Sequence, residues 1–184
     1  MITVPKATTV TVAIKTDRVP KVKKPRTPKK KTTLRPEAII FTDGSFRWPN
    51  FGAWAALITV NTTVTTLSGY KFDTTIGQME LTPIVMALRA LSEPHVVQLY
   101  SDSQYAVNCI KKGWIKRWRK NGWKNHEGKP VKNAEILEDI YQMLLVHQVK
   151  AEWVRRHSGV PENETVDALA QDLTKKMKEG TITP

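Results

Sequence analysis

Cysteine is almost missing from this sequence, with Cys109 standing alone. One thiol excludes an intramolecular disulfide framework and a cysteine-built zinc site, and it fits a reducing compartment. Long apolar runs are missing too. No stretch approaches the roughly 18 consecutive apolar residues that a membrane-spanning helix needs, so no membrane contact is expected. The N-terminal residues lack the apolar core of a secretory signal. Acidic residues are scarce, 17 Asp/Glu against 29 Lys/Arg. What the chain does have is enough apolar content for one packed domain, 40% of 184 residues, and six tryptophans.

The net charge of +12 is unevenly placed. Residues 1–35 carry eleven Lys/Arg and one Asp, and residues 111–132 carry nine Lys/Arg and one Glu. The remainder holds nine Lys/Arg against fifteen Asp/Glu. An acidic body with two basic attachments suggests a polyanion gripped away from a group of carboxylates. Residues 1–35 are interrupted by Pro5, Pro20, Pro25 and Pro28 and hold a Lys/Pro-rich run over 21–31. Like-charge repulsion and missing apolar residues predict a basic, disordered tail. Within it, the Thr/Val alternation of residues 8–14 is compatible with a short strand.

The pattern changes at residue 38. Ala38, Ile39, Ile40 and Phe41 predict a buried strand ending at Thr42-Asp43-Gly44-Ser45. Residues 53–60 and 62–70 read as a hairpin turning near Asn61, and residues 96–100 and 149–154 read as two further strands. Leu81, Ile84, Val85, Leu88 and Leu91 recur at helical spacing. Further helices are predicted from the Ser103 N-cap through Ile110, over 134–146 and over 165–177. Pro83 leaves two options for the first helix: either Pro83 lies early in it, or Thr82 caps a later start. Short links followed by helical crossovers predict an α/β fold, a mixed five-stranded sheet flanked by helices.

Four acids sit where acids serve folding poorly. Asp43 and Asp102 end buried strands, Glu80 lies at the start of the apolar helix, and Asp167 falls between apolar positions of the last helix. Singly, each has a plain reading as a turn, cap or solvated helix residue. Jointly they predict a carboxylate cluster, whose mutual repulsion a divalent cation relieves. Magnesium or manganese prefers such all-oxygen ligands. Two such ions, about 3.5–4 Å apart, would activate a water and stabilise the leaving oxygen of a phosphodiester.

The segments Phe41-Thr42-Asp43-Gly44-Ser45, Gln78-Met79-Glu80-Leu81, Ser101-Asp102-Ser103-Gln104-Tyr105, Arg156-His157-Ser158-Gly159, Pro161-Glu162-Asn163-Glu164 and Asp167-Ala168-Leu169-Ala170 resemble ribonuclease H of type 1, in that family's order, over residues 38–178. Gly113 to Trp118, with Gly122-Trp123-Lys124 and residues 129–133, resembles the basic protrusion of bacterial members. The resemblance implies the five-stranded ribonuclease H fold and a domain at 36–180, with the protrusion at 111–132 and a short C-terminal end at 181–184. It implies cleavage of the RNA strand of RNA–DNA hybrids, with 3′-hydroxyl and 5′-phosphate ends. It also implies two Mg2+ ions, replaceable by Mn2+, held by Asp43, Glu80, Asp102 and Asp167, with His157 assisting proton transfer. Substrate contacts implied are Gly44, Ser45, Thr75 and Gln104, the last reading the 2′-hydroxyl. In the protrusion, Trp114, Lys116, Arg117, Trp118, Lys120, Trp123 and Lys124 interleave aromatic surface with cations that suit a nucleic-acid groove; Arg119 lies among them. Trp114 and Trp118, four apart, are expected on one helix face.

The chain departs from the pattern at Ile76-Gly77, where two Asn are usual, and in the shortened loop 47–52. The expected partners are an RNA–DNA hybrid and nucleic-acid phosphates, met through the tail and protrusion. A cytoplasmic monomer is expected, or a nuclear one in a eukaryotic host. Competing readings are a catalytically silent binding module and a related nuclease of different substrate. The first has no need of anions placed near phosphates.

Overall fold

The computed structural model describes residues 10–13 and 35–184. Five strands form the expected mixed sheet: β2 (Glu37–Arg47), β3 (Phe51–Val60), β4 (Thr63–Phe72), β5 (Val96–Ser101) and β6 (Gln148–Trp153). A further strand, β1 (Val10–Ala13), pairs antiparallel with β4 and extends the sheet at that edge, giving the order β1-β4-β3-β2-β5-β6. That strand falls inside the segment expected to be a disordered tail. The Lys/Pro-rich run lies outside the described residues.

The hairpins β2–β3 and β3–β4 are antiparallel, while β2, β5 and β6 run parallel. The parallel pairs are joined by helical crossovers, as parallel pairing requires. Helices α1 (Ile76–Arg89), α2 (Gln104–Lys111), α3 (Trp114–Lys120) and α4 (Ala134–Val146) are followed after β6 by α5 (Pro161–Lys178). The main core holds Ile40, Trp54, Leu81, Ile84, Leu88, Leu99, Leu137 and Ile140, between the sheet and α1, α2 and α4. A smaller cluster of Phe41, Ala55, Leu57, Val166 and Ala170 lies under α5 on the other face. Among the described residues no helix is long and apolar enough to cross a membrane.

Three expectations change in detail. The first strand does not stop at Asp43 but runs to Arg47, paired with β3 as far as Phe51. The signal was masked because Gly44 and Ser45 read as turn formers, whereas in the sheet they are strand residues with full pairing. The first helix starts after an N-cap at Thr75, whose hydroxyl accepts from the Gln78 amide. Pro83 therefore lies well inside α1, and the later start at Thr82 does not occur. Finally, α5 begins at Pro161 rather than at 165, with Glu162 and Glu164 in its first turn, where acids complement the helix dipole.

Candidate active site

The parallel register of β2 and β5 does most of the assembly. Its last pair is Thr42 with Ser101, so Asp43 and Asp102 follow side by side on adjacent chains. Neighbouring strands lie about 4.8 Å apart. Side-chain alternation then sorts β2: Phe41 faces α5 and Ile40 faces α1. Asp43 thus joins the face that carries Asp167, and Gly44 joins the face of α1. A Cβ on Gly44 would stand 2.5 Å from the backbone carbon and oxygen of Met79 and 2.8 Å from the nitrogen of Glu80. Pro83, without an N–H, cannot donate the helical bond that the Met79 carbonyl would otherwise accept. The bare glycine lets α1 close against the strand and brings Glu80 to the pocket. That pocket is lined by Asp43, Gly44, Ile76, Glu80, Asp102, Trp153, Arg155 and Arg156.

Burial makes Asp43 and Glu80 reluctant to ionise. Asp43 is 4% exposed. Burial, with Asp102 beside it, pushes its carboxyl up to about 8. Its Oδ2 is buried with no hydrogen-bond partner. Burial also raises Glu80, against the lowering effect of the Ser103 hydroxyl. Asp167 is 6% exposed and moves the other way. Burial would raise it, but donors from Arg156 and Gln171 prevail and hold it low. Gln171 Nε2 lies 2.8 Å from both Asp167 oxygens, and Arg156 Nη2 lies 2.6 Å from Oδ1. A buried oxygen without a donor, beside further carboxylates, is a donor set that fits a hard divalent cation. Among the described residues, however, no three His, Cys, Asp or Glu side chains form a ready-made metal cage. Arg156 stands among the acids instead, with Nε 3.7 Å from Asp102 Oδ2.

His157 sits at the rim in the left-handed region, φ 51°. Its Nδ1 is 3.4 Å from Glu164 Oε2 and 3.9 Å from Asp167 Oδ2. The Ser158 hydroxyl donates to the Arg155 carbonyl at 2.6 Å, and the Gly159 amide donates to Glu164 Oε1 at 3.4 Å. The loop joining β6 to α5 is thus tied to the first turn of α5.

The implied substrate residues fall into three sets. Gln104 is exposed on the first turn of α2 and lines a groove with Val107, Asn108, Lys111, Lys112 and Trp153. Gly44 and Ser45 are buried, and the Ser45 hydroxyl is engaged with Thr174 Oγ1 at 2.9 Å. Both have packing roles, and Gly44 also lines the acid pocket. Thr75 is exposed and serves as the α1 cap. In the protrusion Lys116, Arg117, Lys120 and Lys124 are exposed. Trp114, Trp118 and Trp123 are half-buried against the main core. The first two do share a helix face, with ring centroids 5.7 Å apart. Trp114, Arg117, Trp118 and Lys124 nevertheless line a shallow groove with Asn121 and His126. Arg119, though exposed, is paired with Glu138 at 3.0 Å and lies over the Tyr141 ring at 4.3 Å, so it is an engaged cation rather than a free one.

Three residues without an expected role enter the site. Gln171 follows Asp167 by four on one helix, a spacing readable from sequence. The indole of Trp153 donates to the Asp102 carbonyl at 2.9 Å. Arg156 had no signal beyond its place before His157.

A family model described as RNase H matches residues 35–175. The ribonuclease H of Nitratidesulfovibrio vulgaris strain Miyazaki F is 47% identical over 132 residues, covering 71% of this chain and 85% of that protein. The ribonuclease H of Mesorhizobium japonicum is 42% identical over 146 residues, covering 79% of this chain and 82% of that one. Among solved structures, LC9-RNase H1, a type 1 RNase H with the type 2 active-site motif, matches with a TM-score of 0.68 at 23% identity, over 77% of this chain and 74% of its own. The foamy viral protease-reverse transcriptase in complex with an RNA/DNA hybrid matches with a TM-score of 0.61 at 22% identity, over 84% of this chain and 22% of its own. At these identities the two structures speak to the fold alone.

Proposed function

Because the chain belongs to the ribonuclease H family, we propose that it is an endonuclease that hydrolyses the RNA strand of RNA–DNA hybrids with two divalent ions, Mg2+ or Mn2+, leaving 3′-hydroxyl and 5′-phosphate ends. The observation that carries this reading is the meeting of Asp43, Glu80 and Asp102 in one pocket, with Asp167 bonded to the Arg156 that lines it and one buried carboxylate oxygen left without a donor. Divalent-metal dependence is general in the family. Bound there, the ions would supply activation of a water and neutralisation of charge on the scissile phosphate.

The four acids would hold those ions. Gln171 and the Trp153 indole fix Asp167 and the Asp102 backbone respectively. His157, exposed and within reach of Glu164 and Asp167, carries a proton between solvent and the departing 3′-oxygen. Gln104, with an amide that donates and accepts, reads the 2′-hydroxyl. Lys116, Arg117, Lys120 and Lys124 hold phosphates of the DNA strand, and the basic residues of 1–35 act as a phosphate tether. The test is a digestion panel of RNA–DNA hybrid, duplex RNA, duplex DNA and single strands, each with Mg2+ and with EDTA. Cleavage confined to the RNA of the hybrid and abolished by EDTA is expected. Equal cleavage in EDTA, or none of the hybrid, overturns the reading.

A further inference from the structure

We propose that Arg156 is a built-in counter-cation of the carboxylate site, so that divalent-ion loading is an exchange in which the guanidinium gives up its place between Asp102 and Asp167. The inference rests on the metal-dependent reading above and deepens it.

The geometry has three parts. One guanidinium bridges acids from two elements, with Nη2 2.6 Å from Asp167 Oδ1 and Nε 3.7 Å from Asp102 Oδ2. Asp102 follows β5 and Asp167 belongs to α5, and the bridge draws together the side chains that an ion would need. A guanidinium stays protonated at any working pH, so it cannot vacate the site by losing a proton. It has to move. The Arg156 side chain is 51% exposed and is not locked by packing. It also springs from the loop between β6 and α5 rather than from a helix or strand. Departure does not scramble the acid it leaves, because Gln171 Nε2 still donates to both Asp167 oxygens at 2.8 Å. The neighbouring Arg155 makes no ion pair among the described residues, so the effect belongs to position 156 and not to local charge in general.

The consequence has opposite signs in the two states. Without metal, Arg156 relieves repulsion among the acids and stabilises the fold. With metal, it competes. The acids are buried but the cation is half in solvent, and solvent screening of that kind holds a pair to about 1 kcal/mol, which corresponds to a change of about 5-fold in affinity.

The experiment is a calorimetric titration of Mn2+ into the full chain without nucleic acid, for wild type, Arg156→Ala and Arg156→Gln, paired with thermal melts in EDTA and in excess Mn2+. The expected result is a Kd for Mn2+ about 3- to 5-fold lower in both variants. Their Tm in EDTA should fall by about 2–4 °C, so the gap between the EDTA and Mn2+ melts widens. Arg156→Lys, which keeps the charge without the fork, should fall between. Folded variants that bind Mn2+ no more tightly than wild type overturn this proposal alone. If wild type takes up no divalent ion, the metal-dependent reading fails and this proposal with it. Failure of both variants to fold would make Arg156 a structural strut and also overturn it.

Discussion

At the scale of single residues, Asp43 carries the largest consequence. Its carboxyl is buried beside Asp102 and raised from 3.8 to about 8. A carboxyl with a higher pKa folded than unfolded favours folding while protonated, and that contribution is lost as pH rises through the folded value. Metal-free protein should therefore lose stability between about pH 4 and pH 8. Asp43→Asn cannot ionise. Thermal melts in EDTA should show this variant gaining more over wild type at pH 8 than at pH 5, by about 2–4 °C for each kcal/mol relieved. The same substitution, like Asp102→Asn, should cost several kcal/mol of transition-state stabilisation, about 10³-fold or more in cleavage rate. Hybrid binding, followed by fluorescence anisotropy, should survive. The meeting of Asp43, Glu80 and Asp102 in one pocket was legible in the sequence, because each sits in a short ordered motif. The role of Arg156 was not, because nothing local marks a side chain that crosses from one loop to acids on two other elements.

At the scale of elements, the contact of β2 with α1 decides where Glu80 stands. Gly44→Ala would press a methyl into the backbone of Met79 and Glu80, at separations of 2.5–2.8 Å that no rotamer can relieve. Overpacking of this kind costs about 1–3 kcal/mol. A lowered Tm together with lost cleavage is expected, since the helix must retreat and take Glu80 with it. An unchanged Tm would show that the strand yields instead. Strands and crossover helices were legible where apolar period and turn residues agreed, as over 53–60 and 134–146. They were not legible where chemistry overrode pattern. Residues 43–47 pair as strand despite Gly and Ser. The first turn of α5 is polar, and its start was marked only by Pro161 and the acids behind it. Within the basic insert, α3 is short, and Trp114 and Trp118 on it and Trp123 after it are half-buried against the main core, which the surrounding charge did not signal.

At the scale of the whole molecule, charge is separated from chemistry. The exposed Lys116, Arg117, Lys120 and Lys124 belong to the protrusion, whereas the acids stand on β2, on α1, just after β5 and on α5. Replacing Lys116, Lys120 and Lys124 by Gln should weaken hybrid binding and lower the slope of log K against log salt by about 0.7–0.9 per lost phosphate contact. The cleavage rate at saturating substrate should stay near wild type. A large fall in that rate with an unchanged salt slope would place those lysines in the chemistry. The pocket acids come from positions 43, 80 and 102, and Asp167 joins them through Arg156, so the site closes only through contacts made across most of the domain, the slowest to form as a chain folds. A growing polypeptide that still lacks α5 has three of the four acids and no Asp167. If Asp167 serves as proposed, activity doubles as a report that synthesis has passed its last helix, and a chain clipped before that helix is expected to be inert.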